Sequence, residues 1–336
     1  MSTVHGVGLD VGTMNIVSAR RAKKGTATKR IRDAFLDLPK SSKKMLKLSN
    51  VSFVSKGDSI LVLGDEALEI ANVFGKEARR PLHAGLVSSS EIDALEVLAL
   101  LVKNVLGDPA HEGEHCYFSV PANPVDDPTR NTIYHQGVFE KIVRECGFTP
   151  HAANEAMAII FSETAKEGFS GLSFSFGSGM TNVALAVNTI EGLSFSVARG
   201  GDWIDSNAAT AVGATHSRMT SLKEAGIDLL NPTSREEEAL VFYYRNLITY
   251  VLGHVSAEFK KVQGTFNLSK PVPMVVSGGT SKAGGFLDFF KKVFEEEHAP
   301  RFPFEISEIR AAEDPLNAVA LGMMVQAIQE YDDDEE

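Results

Sequence analysis

The 336-residue chain is 43% apolar and carries a net charge of -11 with two cysteines, Cys116 and Cys146. That is enough apolar content for one large core or two ordinary ones. No apolar run reaches 18 residues and no secretory leader is visible at its start, so a soluble cytoplasmic protein is expected. The acidic balance argues against general nucleic-acid affinity, and two cysteines need not pair.

In chain order, residues 4–20 read as strand, turn, strand. Val7-Gly-Leu-Asp-Val-Gly-Thr-Met-Asn-Ile-Val-Ser18 supplies small and apolar residues for buried strands, with Asp10 and Gly12 at the bend. Arg20 to Lys47 then holds eleven Lys/Arg against Asp33 and Asp37. This is either a solvated face or a site for an acidic or protein partner, including another subunit. Short strand-like runs at 51–54 and 59–63 and a helix from Gly64 make 33–75 a small inserted subdomain. Residues 80–87 read as irregular. Ser90 offers a helix cap, followed by an apolar stripe of Ile92, Leu95, Leu98, Ala99, Val102 and Val105. A strand at 116–120 stops at Pro121, and helices are expected over 129–147 and 154–166, with Gly147 as a C-terminal cap.

The second half restarts with a twin hairpin, Gly171 to Val187, in which Gly177 and Gly179 bracket Ser178. A strand at 193–197 leads into Arg199-Gly-Gly-Asp-Trp-Ile-Asp205. Helices continue to about 262 with a polar break at 226–234. Pro273-Met-Val-Val-Ser-Gly-Gly-Thr280 is a buried strand ending in a glycine turn, and 315–331 closes as a helix before the acidic run Asp332–Glu336. Two glycine hairpins half a chain apart suggest two related α/β domains facing one ligand, since uncovered backbone amides suit a phosphate.

In this order, Gly8–Asn15, Asn154–Ala158, Ser175–Thr181, Val276–Lys282 and Asp314–Gly322 resemble the two phosphate motifs, the two connecting helices and the adenosine motif of the actin, sugar-kinase and heat-shock ATPase superfamily. Val62-Leu-Gly-Asp-Glu-Ala67 and Arg80-Pro-Leu-His-Ala-Gly85 resemble bacterial actins of the MreB and MamK type. The resemblance implies two duplicated ribonuclease H-like domains, 1–168 plus 315–336 and 169–314, the latter with a helical insert at about 207–262. It also implies an ATP- or ADP-binding cleft with Mg²⁺, and self-assembly into filaments.

By resemblance, Gly12, Thr13, Met14 and Asn15 cradle phosphates from one side, and Gly177, Ser178, Gly179, Met180 and Thr181 from the other. Asp10 holds Mg²⁺ through water, a cation that keeps its hydration shell; alternatively it is a turn residue bonding its own backbone. Glu155 orients the attacking water, or serves the helix dipole. Glu258 and Lys261 flank the adenosine, or form a surface i,i+3 pair. Gly278, Gly279, Thr280 and Lys282 pass near ribose and base, as do Gly201, Asp202 and Asp205. The departure is Ser175, where relatives place an aspartate: a hydroxyl brings no charge beside the metal, so hydrolysis is expected to be slow or lost. The other class of reading is a nucleotide-gated switch that binds another protein without polymerising.

Overall fold

A computed structural model describes residues 5–88, 90–91, 93–266 and 268–334, with side chains through Tyr331. Ser89, Ile92, Asn267 and the whole acidic run Asp332–Glu336 therefore lie outside the described side chains.

The first half opens with β1 (Val7–Val11) and β2 (Asn15–Arg21), joined by the first glycine turn. β3 (Thr26–Arg32) pairs antiparallel with β2, Asn15 opposite Arg32. A side sheet follows from β4 (Phe35–Pro39), β5 (Val54–Lys56) and β6 (Ser59–Leu63), carrying α1 (Lys43–Leu48) and α2 (Asp65–Phe74). Leu36, Leu38, Leu46, Ile60, Val62 and Ile70 form its own small core. A two-stranded hairpin, β7 (Leu82–His83) and β8 (Leu86–Val87), precedes α3 (Ala94–Leu106), β9 (His115–Val120), α4 (Thr132–Glu145), β10 (Thr149–Asn154) and α5 (Glu155–Glu163). The main sheet runs β10-β9-β1-β2-β3. Asn131 and Asn154 cap α4 and α5 by accepting from amides of each first turn. Gly147, at φ 91°, ends α4's turn as a glycine can.

The second half repeats the order. β11 (Gly171–Phe176), β12 (Thr181–Val187) and β13 (Ile190–Val197) form a meander. Then come α6 (Gly201–Val212), α7 (His216–Gly226), α8 (Arg235–Val262), β14 (Val272–Ser277), α9 (Phe286–Val293), β15 (Ile306–Ala311) and α10 (Ala318–Asp334). The sheet order β13-β12-β11-β14-β15 matches the first sheet position for position, with an antiparallel meander on one side and parallel strands on the other. Its core, including Phe174, Phe176, Tyr244, Leu247, Val251, Phe286 and Phe290, is separate from that of the first half. Near-continuous apolar strands such as β14, wholly buried, fit parallel pairing with helices on both faces.

Six strands are absent from the sequence reading. β3 is exposed along most of its length and lysine- and arginine-bearing, β4 follows it directly, β10 and β15 are short and polar, and β7 and β8 are two residues each within the stretch read as irregular. The segment 199–205 also differs, since α6 begins at Gly201 within it.

Candidate functional site

The two glycine turns meet at a cleft of about 430 Å³ between the sheets. Gly12 donates to the Asn15 carbonyl at 3.1 Å, and Gly177 donates to the Met180 carbonyl at 3.0 Å. The amides of Thr13, Met14, Ser178 and Gly179 have no protein acceptor among the described residues, so both turns present free donors. A Cβ on Gly179 would stand 2.2 Å from the Gly85 amide nitrogen, which brings the β7–β8 turn against the second hairpin. Arg80 before that turn reaches Asp202 at 3.2 Å, and Arg32 reaches Glu224 at 2.8 Å. These two ion pairs span the cleft.

Asp10 and Glu155 both line the cleft. The Ser119 hydroxyl donates to Asp10 Oδ1 at 3.0 Å and accepts from the Val11 amide at 2.8 Å. Burial, reinforced by the Glu155 charge, pushes Asp10 up to about 8, against the pull of the Ser119 bond. Burial also raises Glu155 above the usual carboxylate range. Its two oxygens accept from Ser175 Oγ at 2.7 Å and Asn182 Nδ2 at 3.0 Å. Two half-buried carboxylates that oppose each other's ionisation form an oxygen donor set suited to a hard dication. Ser178 Oγ, Asn182 Oδ1 and Asp202 Oδ1 are buried here without a hydrogen-bond partner, polar atoms that a ligand would satisfy.

The opposite wall comes from β14 and the turn after it. Gly278, at φ 93°, would drive a Cβ to 2.5 Å from the Phe176 carbonyl, so only glycine fits. Thr280 Oγ1 donates to the Gly177 carbonyl at 2.9 Å, tying this turn to the second hairpin. Gly201 and Asp202, at the start of α6, donate their amides to the Gly177 and Ser178 carbonyls at 3.0 and 2.8 Å. Gly12, Thr13, Met14, Asn15, Gly177, Ser178, Gly179, Met180, Gly201, Asp202, Gly278, Gly279, Thr280 and Lys282 all line the cleft.

Four expected residues do not. Thr181 is buried in β12, its hydroxyl donating to the Arg199 carbonyl at 2.9 Å. Asp205 sits one layer behind the wall, 2.8 Å from Lys223 Nζ and accepting from Thr220 Oγ1 at 2.7 Å. Glu258 and Lys261, near the end of α8, pair with each other at 2.7 Å, and Lys261 is 67% exposed. Thr220 and Lys223 of α7 line the cleft at that same i,i+3 spacing, with Glu224 beside them. The sequence concealed this because a hydroxyl stands where an acidic residue was sought. Asn182 was also missed, although the hairpin register places it opposite Ser175.

Among the described residues, no helix is long and apolar enough to cross a membrane.

With that geometry in hand, similarity to known proteins can be placed. The family described as Volactin matches residues 6–327. A MamK double helical filament superposes with a TM-score of 0.71 at 16% identity, over 97% of this chain and 98% of that one. MreB5 of Spiroplasma citri bound to AMPPNP gives 0.65 at 14% identity, over 100% of both chains. The ethanolamine utilization protein EutJ from Carboxydothermus hydrogenoformans gives 0.57 at 17% identity, over 97% of this chain and 91% of its own. At such identities these likenesses establish the fold, the two-domain actin-like one. Among curated proteins none matches the sequence.

Proposed function

The chain belongs to the Volactin family, and from that premise we propose an actin-like protein that binds ATP or ADP with Mg²⁺ between domains 1–168 plus 315–336 and 169–314, and assembles into cytoplasmic filaments with slow or lost hydrolysis. One observation carries the nucleotide reading: twin turns offer free amides from opposite sides of a cleft lined by the half-buried pair Asp10 and Glu155. Uncovered backbone amides at glycine turns suit an anion such as phosphate.

Mg²⁺ would supply positive charge against the phosphates and against Asp10. Asp10, fixed by Ser119, would hold the metal's water shell, while Lys223, steadied by Asp205, would face the nucleoside end. Full-length likeness to a MamK filament and to an AMPPNP-bound MreB5 supports both self-assembly and nucleotide binding.

The slow-hydrolysis reading rests on Ser175, which donates to Glu155 at 2.7 Å and brings no charge to the place where the first hairpin brings Asp10. Bound nucleotide then acts as a structural ligand or slow timer. Sedimentation with and without Mg-ATP, scored with phosphate release and negative-stain imaging, tests this. Pelleted filaments with little phosphate release are expected; protein that stays soluble under every nucleotide condition would replace the filament with a gated switch.

A further inference from the structure

The basic segment 20–47 is not one surface, because strand register divides it. Arg20 pairs opposite Val7, at the end of β1 remote from the cleft, and its guanidinium is engaged by Glu114 at 3.0 Å and by the Leu106 carbonyl. β3 runs back to Arg32, opposite Asn15 at the cleft, and the chain passes from there into the small side sheet. Lys43, Lys44 and Lys47 are exposed on α1 of that subdomain, while Leu46 between them is buried in its core. Leu48 beside them is 80% exposed. Lys43 lies 6.0 Å from the Phe53 ring, and Lys44 and Lys47 make no ion pair among the described residues.

α10 runs the opposite way. Leu316 and Val319 at its start line the cleft. Tyr331, near its other end, accepts from the amide of His115, the first residue of β9, whose neighbour Cys116 lies level with Val7. α10 therefore carries the chain to the end of the first sheet remote from the cleft, and the acidic run Asp332–Glu336 follows Tyr331 in sequence. Between copies stacked in the same orientation, the α1 lysines of one and the acidic run of the next would pair unlike charges. Such a contact is heterologous and does not close, which makes a filament and not a ring or dimer.

We propose that Lys43, Lys44 and Lys47, grouped around Leu48, dock the acidic run Asp332–Glu336 of the next copy along a head-to-tail stack. This rests on the self-assembly proposed above and specifies one of its contacts.

The test compares critical concentrations for nucleotide-dependent sedimentation. Lys44→Glu with Lys47→Glu is expected to raise the critical concentration roughly tenfold at low salt, with the difference shrinking in high salt as exposed charges are screened. Adding Asp332→Lys and Asp333→Lys to the same chain is expected to restore assembly. Fluorescent-nucleotide binding should stay unchanged, since α1 is remote from the cleft. An unchanged critical concentration in the lysine variant, or no recovery in the charge-swapped one, overturns the contact while leaving the filament reading intact. So does removal of residues 332–336 that lowers Tm yet leaves assembly unaltered, because the run would then fold against its own chain. Wild-type protein that never sediments overturns both.

Discussion

The two glycine hairpins share a backbone and differ in charge. A Cβ at Gly12 or at Gly177 would meet the carbonyl three residues on at the same 2.8 Å, and the paired amide bonds differ by only a tenth of an ångström, 3.1 against 3.0 Å. Two residues before each glycine the halves part: Asp10 in the first, Ser175 in the second. Across the register, Val17 faces Asp10 and Asn182 faces Ser175. The first hairpin brings a carboxylate to the cleft, and the second brings a hydroxyl and an amide that both turn to Glu155. On the proposed reading, grip on an anion is a property of the repeated backbone, whereas metal handling and chemistry are properties of side chains that the repeat does not share.

The most damaging way to test that separation is to spoil the backbone. Gly12→Val and Gly177→Val each force a shift against a carbonyl, and each is expected to weaken nucleotide affinity roughly a hundredfold by calorimetry. A loss confined to one variant would mean that only one hairpin carries the ligand.

Next is the charge on one side only. Asp10→Asn should abolish the Mg²⁺ dependence of nucleotide binding, while affinity without metal holds. The pH dependence of stability gives the same residue a ligand-free signature. Asp10's folded value, about 8, is above its unfolded one. The stability contribution is therefore complete below the unfolded value and is lost as pH rises through 8. Metal-free wild-type protein should gain Tm as pH falls from about 9 to 7. Asp10→Asn should flatten that slope, and a slope that persists would place its origin elsewhere.

Ser175→Asp makes the two hairpins alike. It sets a third carboxylate against Glu155, in place of a 2.7 Å hydrogen bond. Turnover is expected to rise several-fold with Mg²⁺, as one added charge steadies the metal. Without metal the same variant should have a lower Tm, because buried like charges repel. Unchanged phosphate release would mean that the missing aspartate does not limit the rate.

How far the sequence reveals all this follows the same division. The hairpins, the buried strands and the amphipathic helices are legible because glycine placement and apolar spacing are local signals. β3 is not, because an edge strand keeps one row of charges in water and its alternation is diluted by lysine and arginine. Asn182 is recoverable in principle, since a turn spanning Gly177 and Met180 fixes its pairing with Ser175. The cleft face of α7 is not recoverable from an acidic i,i+3 pattern: Thr220 replaces the acid, and the carboxylate comes instead from Asp205 on α6, fifteen residues earlier in sequence. Chemistry that is split between helices leaves no spacing to read.

That split gives the smallest predicted effect, and it separates two lysines that look equivalent in sequence. The Lys223 side chain is 13% exposed, its Nζ held by Asp205 at 2.8 Å and donating to the Gly201 carbonyl at 3.1 Å. Lys223→Met keeps the stem's length but removes the cation, leaving Asp205 buried without its ion pair. Nucleotide affinity should fall several-fold, with some loss of Tm as well, because an unpaired buried carboxylate is costly. Lys261→Met removes only an exposed pair with Glu258, an interaction worth little in water. Affinity should then stay within about twofold and Tm nearly unchanged. If the order were reversed, with Lys261 mattering and Lys223 silent, the nucleoside end of the cleft would belong to α8, and the second half's contribution would have to be redrawn around that helix.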